Sequence, residues 1–202
     1  MQARNTRAAP ETHKFSDDGS IPNNPILSFV VFRNAIDLRG SPDHEAVIEK
    51  TFLRHGWVGT WRNGVYPYVH YHSRIHEVMG IARGRARVQF GGEHGAEIDL
   101  KVGDVVVLPA GTGHQRLWQT PDLVVVGAYP PSGRFDLCRG TPAEHDRAVA
   151  AIREVPLPTT CPVRGKAGPL VKLWTAEAEA AAHLSTAEAT SQGEPGRDED
   201  AA

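Results

Sequence analysis

The chain has 202 residues and a nearly balanced charge, formally −2, with its basic residues scattered. That length suits one domain with a sizeable core, and the charge balance argues against a nucleic-acid partner. No apolar run approaches a membrane span, and the N-terminus lacks the apolar stretch of a secretory signal. Cys138 and Cys161 form no CxxC pair and are too few for a disulfide framework, so a cytoplasmic location is expected.

In chain order, residues 1–24 mix Arg, Thr, Pro, Asp and Gly without an apolar period and read as a disordered N-terminal segment. Ile26 to Phe32 is rich in β formers and reads as a strand. Ser41-Pro42-Asp43 resembles a helix start, with Ser41 as N-cap, and Ala46, Val47, Phe52 and Leu53 supply the apolar face of a helix ending near Gly56. Trp57 to Asn63 reads as a further strand or loop. From there the pattern is all-β: Tyr66 to His72, Glu77 to Arg83, Arg85 to Phe90, Glu97 to Val102, Asp104 to Leu108, His114 to Trp118 and Leu123 to Tyr129 are candidate strands separated by Gly-, Pro- and Asp-containing turns. Arg83, Arg85 and Arg87 alternate along one strand and read as a solvated or dimer-facing surface. Thr141-Pro142-Ala143-Glu144 has the form of a capping box and opens a second helix, which Pro156 terminates. Leu170 to Trp174 reads as an edge strand. Residues 25–174 are thus expected as one domain, and 175–202 as an Ala/Glu-rich tail, disordered or partly helical.

Two spaced strings carry the chemistry. Gly64, His70, His72, Glu77 and Gly84 follow the order G-x5-H-x-H-x4-E-x6-G, and Gly103, Pro109, Gly111 and His114 follow G-x5-P-x-G-x2-H. Three imidazoles and a carboxylate on short β segments suit one divalent first-row metal. Alternation places His70 and His72 on one strand face, and Ser73-Arg74-Ile75 can bring Glu77 beside them. His114 must then arrive from a more distant strand through the turn at Pro109 and Gly111. The glycines of both strings are expected at positive φ.

Together the strings resemble the paired signature of the cupin superfamily. The stretch His70 to Val78 and the later Gly127-Ala128-Tyr129-Pro130 are most similar to the YjlB-like group of small bacterial cupins. The resemblance implies a mainly β fold, a cupin-type double-stranded β-helix or jelly-roll barrel, here with two or three flanking helices. It also implies metal-ligand roles for His70, His72, Glu77 and His114, and a homodimer. One departure stands out: where the second string usually continues to an asparagine, this chain has Trp118.

Four protein ligands leave two positions on a six-coordinate ion, which suits a chelating substrate or a substrate atom plus O2. Fe or Mn is favoured, and Ni, Zn, Co or Cu also fit the donors. A closed structural zinc site is the competing reading. By parity, Tyr66, Met79, Ile81 and Trp118 are expected to line the substrate pocket. Glu77, Tyr68 and Arg116 are the candidate catalytic groups, Arg116 as a fork for a substrate carboxylate or else as half of a salt bridge. His76 should point away from the metal. The expected function is a metal-dependent enzyme on a small organic substrate, first a dioxygenase-type oxidoreductase. A non-redox isomerase or lyase, or a non-catalytic metal- and ligand-binding cupin, is the alternative. Neutral imidazoles are needed for binding, so metal occupancy should fall as pH drops below about 6.

Overall fold

A computed structural model describes residues 9–191 of the chain. Its elements run β1 (Glu11–His13), β2 (Phe29–Phe32), α1 (His44–Arg54), β3 (Val58–Asn63), β4 (Glu77–Arg83), β5 (Arg85–Phe90), β6 (Ala96–Lys101), β7 (Val105–Leu108), β8 (His114–Gln119), β9 (Val124–Tyr129), α2 (Pro142–Arg153) and α3 (Pro169–Ser191). A six-stranded sheet has the order β1-β2-β7-β4-β9-β3, and a three-stranded sheet the order β6-β5-β8. All the pairings are antiparallel. Two sheets and three helices are consistent with a jelly roll.

Alternation assigns each side chain to its layer. Phe29, Val31, Met79, Ile81, Val106 and Leu108 face the small sheet, where they meet Ala86, Val88, Phe90, Ile98 and Leu100. The intervening Val30, Phe32, Val78, Val105 and Val107 face the other way, onto Ile48 and Phe52 of α1 and Leu170 and Trp174 of α3. The large sheet is therefore covered on both faces, which is why β2 and β7 read as unbroken apolar runs. Gly80 marks the tightest contact with α1: a Cβ there would lie 3.0 Å from Ile48 Cγ2. On the outer face of the small sheet, Arg87 Nε pairs with Asp99 Oδ1 at 2.9 Å in the open.

Several expectations are corrected. The barrel is not closed; the strands divide between two sheets. Tyr66 to His72, expected as a strand, makes only single bridges, His70 with His114 and Tyr71 with Cys138. Pro67 removes a donor from this stretch and prevents a continuous ladder. The N-cap of α1 is Asp43 rather than Ser41, its Oδ1 accepting from Ala46 N at 2.9 Å. Gly84, Gly103 and Gly111 take φ of 67°, 88° and 94°, whereas Gly64 does not enter that region.

The N-terminal stretch carries structure of its own: β1 pairs Glu11 with Val31 and His13 with Phe29, Phe15 packs against the inter-sheet core, and Ile21 is buried. Leu170 to Trp174 is not an edge strand but the start of α3. The spacing of Leu170 and Trp174 puts both on one helical face, and Pro169 sits at the helix start, where its missing N–H matters least. The tail is helical through Ser191; residues 1–8, expected to be disordered, and 192–202, expected to be disordered or partly helical, lie outside the described residues. No helix among the described residues is long and apolar enough to cross a membrane.

The N-terminal arm is tied to α2 by His145, whose Nε2 lies 2.8 Å from Asp17 Oδ1. The hydrogen bond to Asp17 outweighs the burial that opposes it, and the charges of Asp17 and Asp146 add to it, so the imidazole pKa is raised. A raised pKa makes this tether fully present below the unfolded value and lost as pH rises through the folded one. Amide exchange in residues 11–21 should therefore accelerate above neutral pH beyond its intrinsic base catalysis. His145→Ala should remove that excess. The pair is partly exposed, so the effect should stay below about 1 kcal/mol.

Candidate metal centre

Three elements deliver the four side chains. His70 and His72 come from the extended stretch after Pro67, with Tyr71 between them pointing into a separate apolar cluster beside Ile21 and Cys138. His114 opens β8, held opposite His70 by reciprocal backbone bonds, His114 N to His70 O at 2.9 Å and His70 N to His114 O at 3.2 Å. The turn before it needs Gly111, where a Cβ would fall 2.6 Å from Asn23 O. Glu77 opens β4.

The Nδ1–H of each imidazole donates to a backbone carbonyl: His70 to Tyr68 O at 3.2 Å, His114 to Thr112 O at 3.1 Å, and His72 to Asp136 O. A carbonyl can only accept, so Nδ1 carries the proton and each Nε2 keeps its lone pair for a metal. The ligand atoms of the three histidines lie within 4.8 Å of one another, and all three residues are buried. Glu77 Oε2 stands 3.5 Å from His72 Nε2 and 3.5 Å from His114 Nε2. Two donors about 2.1 Å from a shared ion are roughly 3.0 Å apart when adjacent and about 4.2 Å when opposite. The observed separations need only small side-chain shifts to meet that.

Electrostatics agree with the fit. Glu77 Oε2 is buried without a hydrogen-bond partner, an arrangement that a cation resolves. Burial pushes the Glu77 pKa up, but the charge of His72 and then of His114 and His70 outweighs it, and the carboxyl is held below its ordinary value. For His72 burial is again outweighed, by the Glu77 charge, and its pKa is raised. Burial dominates at the other two: His70 is lowered, and His114 is pushed down to about 3. In the metal-free site His72 is therefore the first imidazole to take up a proton, so the three do not titrate together.

A loop after β9 completes the wall. Asp136 accepts from Ser73 N at 2.9 Å, Ser73 Oγ at 2.5 Å and Arg74 N at 3.3 Å, while its backbone carbonyl takes the His72 proton. Phe135 lies against His72, ring centroids 4.9 Å apart. Asp136→Ala keeps the carbonyl that accepts from His72 but frees the loop from Ser73 and Arg74, and should lower metal affinity by up to about 10-fold, the low end for loss of a ligating histidine's partner, measured by chelator competition.

A cavity of about 230 Å³ opens onto His70, His72, Glu77 and His114. Tyr66 and Met79 line it as expected from parity. The other expected lining and catalytic residues stand elsewhere. Ile81 is buried in the inter-sheet core. Tyr68 stacks on Tyr66 at 4.9 Å and carries the Arg139 guanidinium 3.7 Å above its ring, outside the cavity. Arg116 lies in a neighbouring depression, with Nη1 2.6 Å from Gln119 Oε1. Trp118 is 54 % exposed, because the register of β8 shifts: Val88 pairs with Arg116 but Arg87 pairs with Trp118. The extra residue, Leu117, is a bulge that turns Trp118 to the outer face, so alternation counted from His114 fails there.

The cavity also uses residues the sequence did not single out as lining. Val65, Tyr129, Phe135 and Leu137 join Trp61 around it. Tyr129 has the strand parity of Gly127 and could have been placed from that. Phe135 and Leu137 sit in an irregular loop with no periodic signal.

Two sheets, three helices and a buried three-histidine cluster with a nearby glutamate define a metal-binding β protein of the cupin type. No protein-family model matches the chain. It is 44 % identical over 164 residues to the "Uncharacterized protein YjlB" of Bacillus subtilis (strain 168), covering 81 % of this chain and 96 % of that one. The chain belongs to the YjlB-like group of small bacterial cupins. Among solved structures, acireductone dioxygenase from Bacillus anthracis, with a cadmium ion in its active centre, is 20 % identical with a TM-score of 0.33, covering 48 % of this chain and 68 % of that one. The 11S globulin from Wrightia tinctoria is 19 % identical with a TM-score of 0.32, covering 39 % of this chain and 21 % of that longer one.

Proposed function

We propose that this protein is a metal-dependent enzyme acting on a small organic substrate that chelates the ion held by His70, His72, Glu77 and His114. The observation that carries this reading is the convergence of three Nε2 lone pairs and one unpartnered carboxylate oxygen on the floor of a cavity. A closed structural site would have no reason to face open space. The bound metal would supply Lewis-acid polarisation of a chelating oxygen and, as Fe, a redox centre for O2. Glu77, on loosening from the ion, is the group placed to take a proton from a substrate on that floor. The buried histidines and the aromatic wall exclude bulk water. Tyr68 and Arg116, outside the cavity, take no part.

Within this reading a dioxygenase-type oxidation comes first, with Fe or Mn as the metal. A Glu77 carboxylate that loosens from the ion also supports a non-redox isomerase or lyase, since a base beside a Lewis acid needs no oxygen. Protein purified without oxygen and analysed for metal should be incubated with small chelating metabolites in an oxygen electrode. Oxygen uptake with product supports the dioxygenase reading, and turnover in its absence supports the isomerase or lyase. A metabolite returned unchanged after long incubation makes the protein a binding module. A cytoplasmic homodimer paired through the edge of β6 belongs to the same proposal, and light scattering tests the dimer.

A further inference from the structure

The cavity states a preference about its occupant. Across β3 and β9, Trp61 pairs with Gly127. A Cβ on Gly127 would stand 2.1 Å from two carbons of the indole, so only glycine lets the ring lie flat against β9. Laid down this way, Trp61 Nε1 reaches Tyr129 Oη at 3.1 Å. An indole N–H can only donate, so the Tyr129 oxygen is the acceptor and its own proton is not used by Trp61. Tyr129 lines the cavity, faces the Glu77 carboxylate and stands edge-on to His72, with centroids 6.1 Å apart. Its hydroxyl is thus a donor fixed from behind, available to Glu77 or to an oxygen bound beside Glu77 on the ion.

No cation is offered with it. Among the described residues lining the cavity the guanidinium is Arg62, and both its Nε and Nη2 are taken by Glu49 at 2.7 Å. Arg116 is outside. The remaining wall is largely apolar, through Trp61, Val65, Met79, Phe135 and Leu137. A volume of about 230 Å³ is the share of roughly eight liquid waters, so the occupant has on the order of ten non-hydrogen atoms. A second carboxylate placed against this wall would lose its hydration and gain no partner.

We propose that the site selects a small oxygen chelator with an apolar body, its metal-facing oxygen accepting a hydrogen bond from Tyr129, and discriminates against dicarboxylates and sugar acids. The inference rests on the metal-centre reading above. Tyr129 acts here as a specificity-determining residue, and Trp61 and Gly127 as the groups that position it.

Acetylacetone and malonate test it, because both present the same O–C–C–C–O chelate and the same number of non-hydrogen atoms, with methyl groups in one where the other has carboxylate oxygens. Both would be titrated by calorimetry, and by the visible absorption of bound cobalt, into the full-length protein loaded with Co(II). Acetylacetone should bind at least about ten-fold tighter than malonate to the unaltered protein. Tyr129→Phe should weaken acetylacetone roughly ten-fold, the scale of one hydrogen bond to a charged acceptor, and leave Co(II) affinity within a few-fold. Arg62→Ala should leave both constants within about two-fold. Equal or tighter malonate binding to the unaltered protein overturns the proposal, and so does a folded, cobalt-loaded Tyr129→Phe protein with unchanged acetylacetone affinity. The comparison on the unaltered protein decides the matter if the variant does not fold. Failure of the unaltered protein to bind cobalt overturns the metal-centre reading itself.

Discussion

Replacing His72 with alanine should lower the affinity for divalent metal by more than about 100-fold, a larger loss than removal of a hydrogen-bond partner alone produces. The imidazole gives up two things at once: the Nε2 donor and the bond that ties the Asp136 carbonyl to the site. His114→Ala should behave alike through its own donor. Chelator competition on both variants measures the loss, with thermal unfolding of the metal-free proteins to separate it from misfolding. His76 supplies the control. It neighbours Glu77 in sequence but faces away, accepting from Ala110 N at 2.9 Å and lying 4.8 Å from the Trp174 ring. His76→Ala should lower stability while leaving the metal affinity of the folded fraction within a few-fold.

Trp174→Ala should destabilise the protein by about 3–5 kcal/mol, the cost of emptying a large buried aromatic site. Trp174 is 1 % exposed, packs with Leu170 under the large sheet, and donates Nε1–H to Ser28 O at 2.9 Å. One turn further on, Glu177 accepts from Ser28 N at 2.9 Å and from the Ser28 hydroxyl. Chemical denaturation would read the loss directly. A neutral Trp174→Ala would mean that α3 does not cover the sheet.

What was legible in the chain follows the physics of each signal. The strands of the large sheet and the capping box of α2, Thr141 with Glu144, were readable because period-2 alternation and cap chemistry act locally. The four metal-facing side chains were readable because ligand type, turn residue and spacing point the same way. Trp118 was misplaced by a bulge, a one-residue change of register that leaves no mark in composition. The arm around β1 escaped notice because three residues of edge pairing and two anchors, Phe15 and Ile21, are diluted by polar neighbours. Leu170 to Trp174 has an apolar run too short to separate strand from helix by period; its burial against a distant sheet decides the matter. Phe135, Leu137 and Asp136 belong to a loop whose position depends on tertiary bonds to Ser73 and His72.

The most direct test of the account is the metal stoichiometry of the folded protein, measured by elemental analysis after anaerobic purification and again after titration with Fe, Mn, Co and Zn salts. One divalent ion per chain is expected, displaced by chelator and absent from His72→Ala. A folded protein that takes up none of these ions, or that binds them equally well without His72, would contradict it.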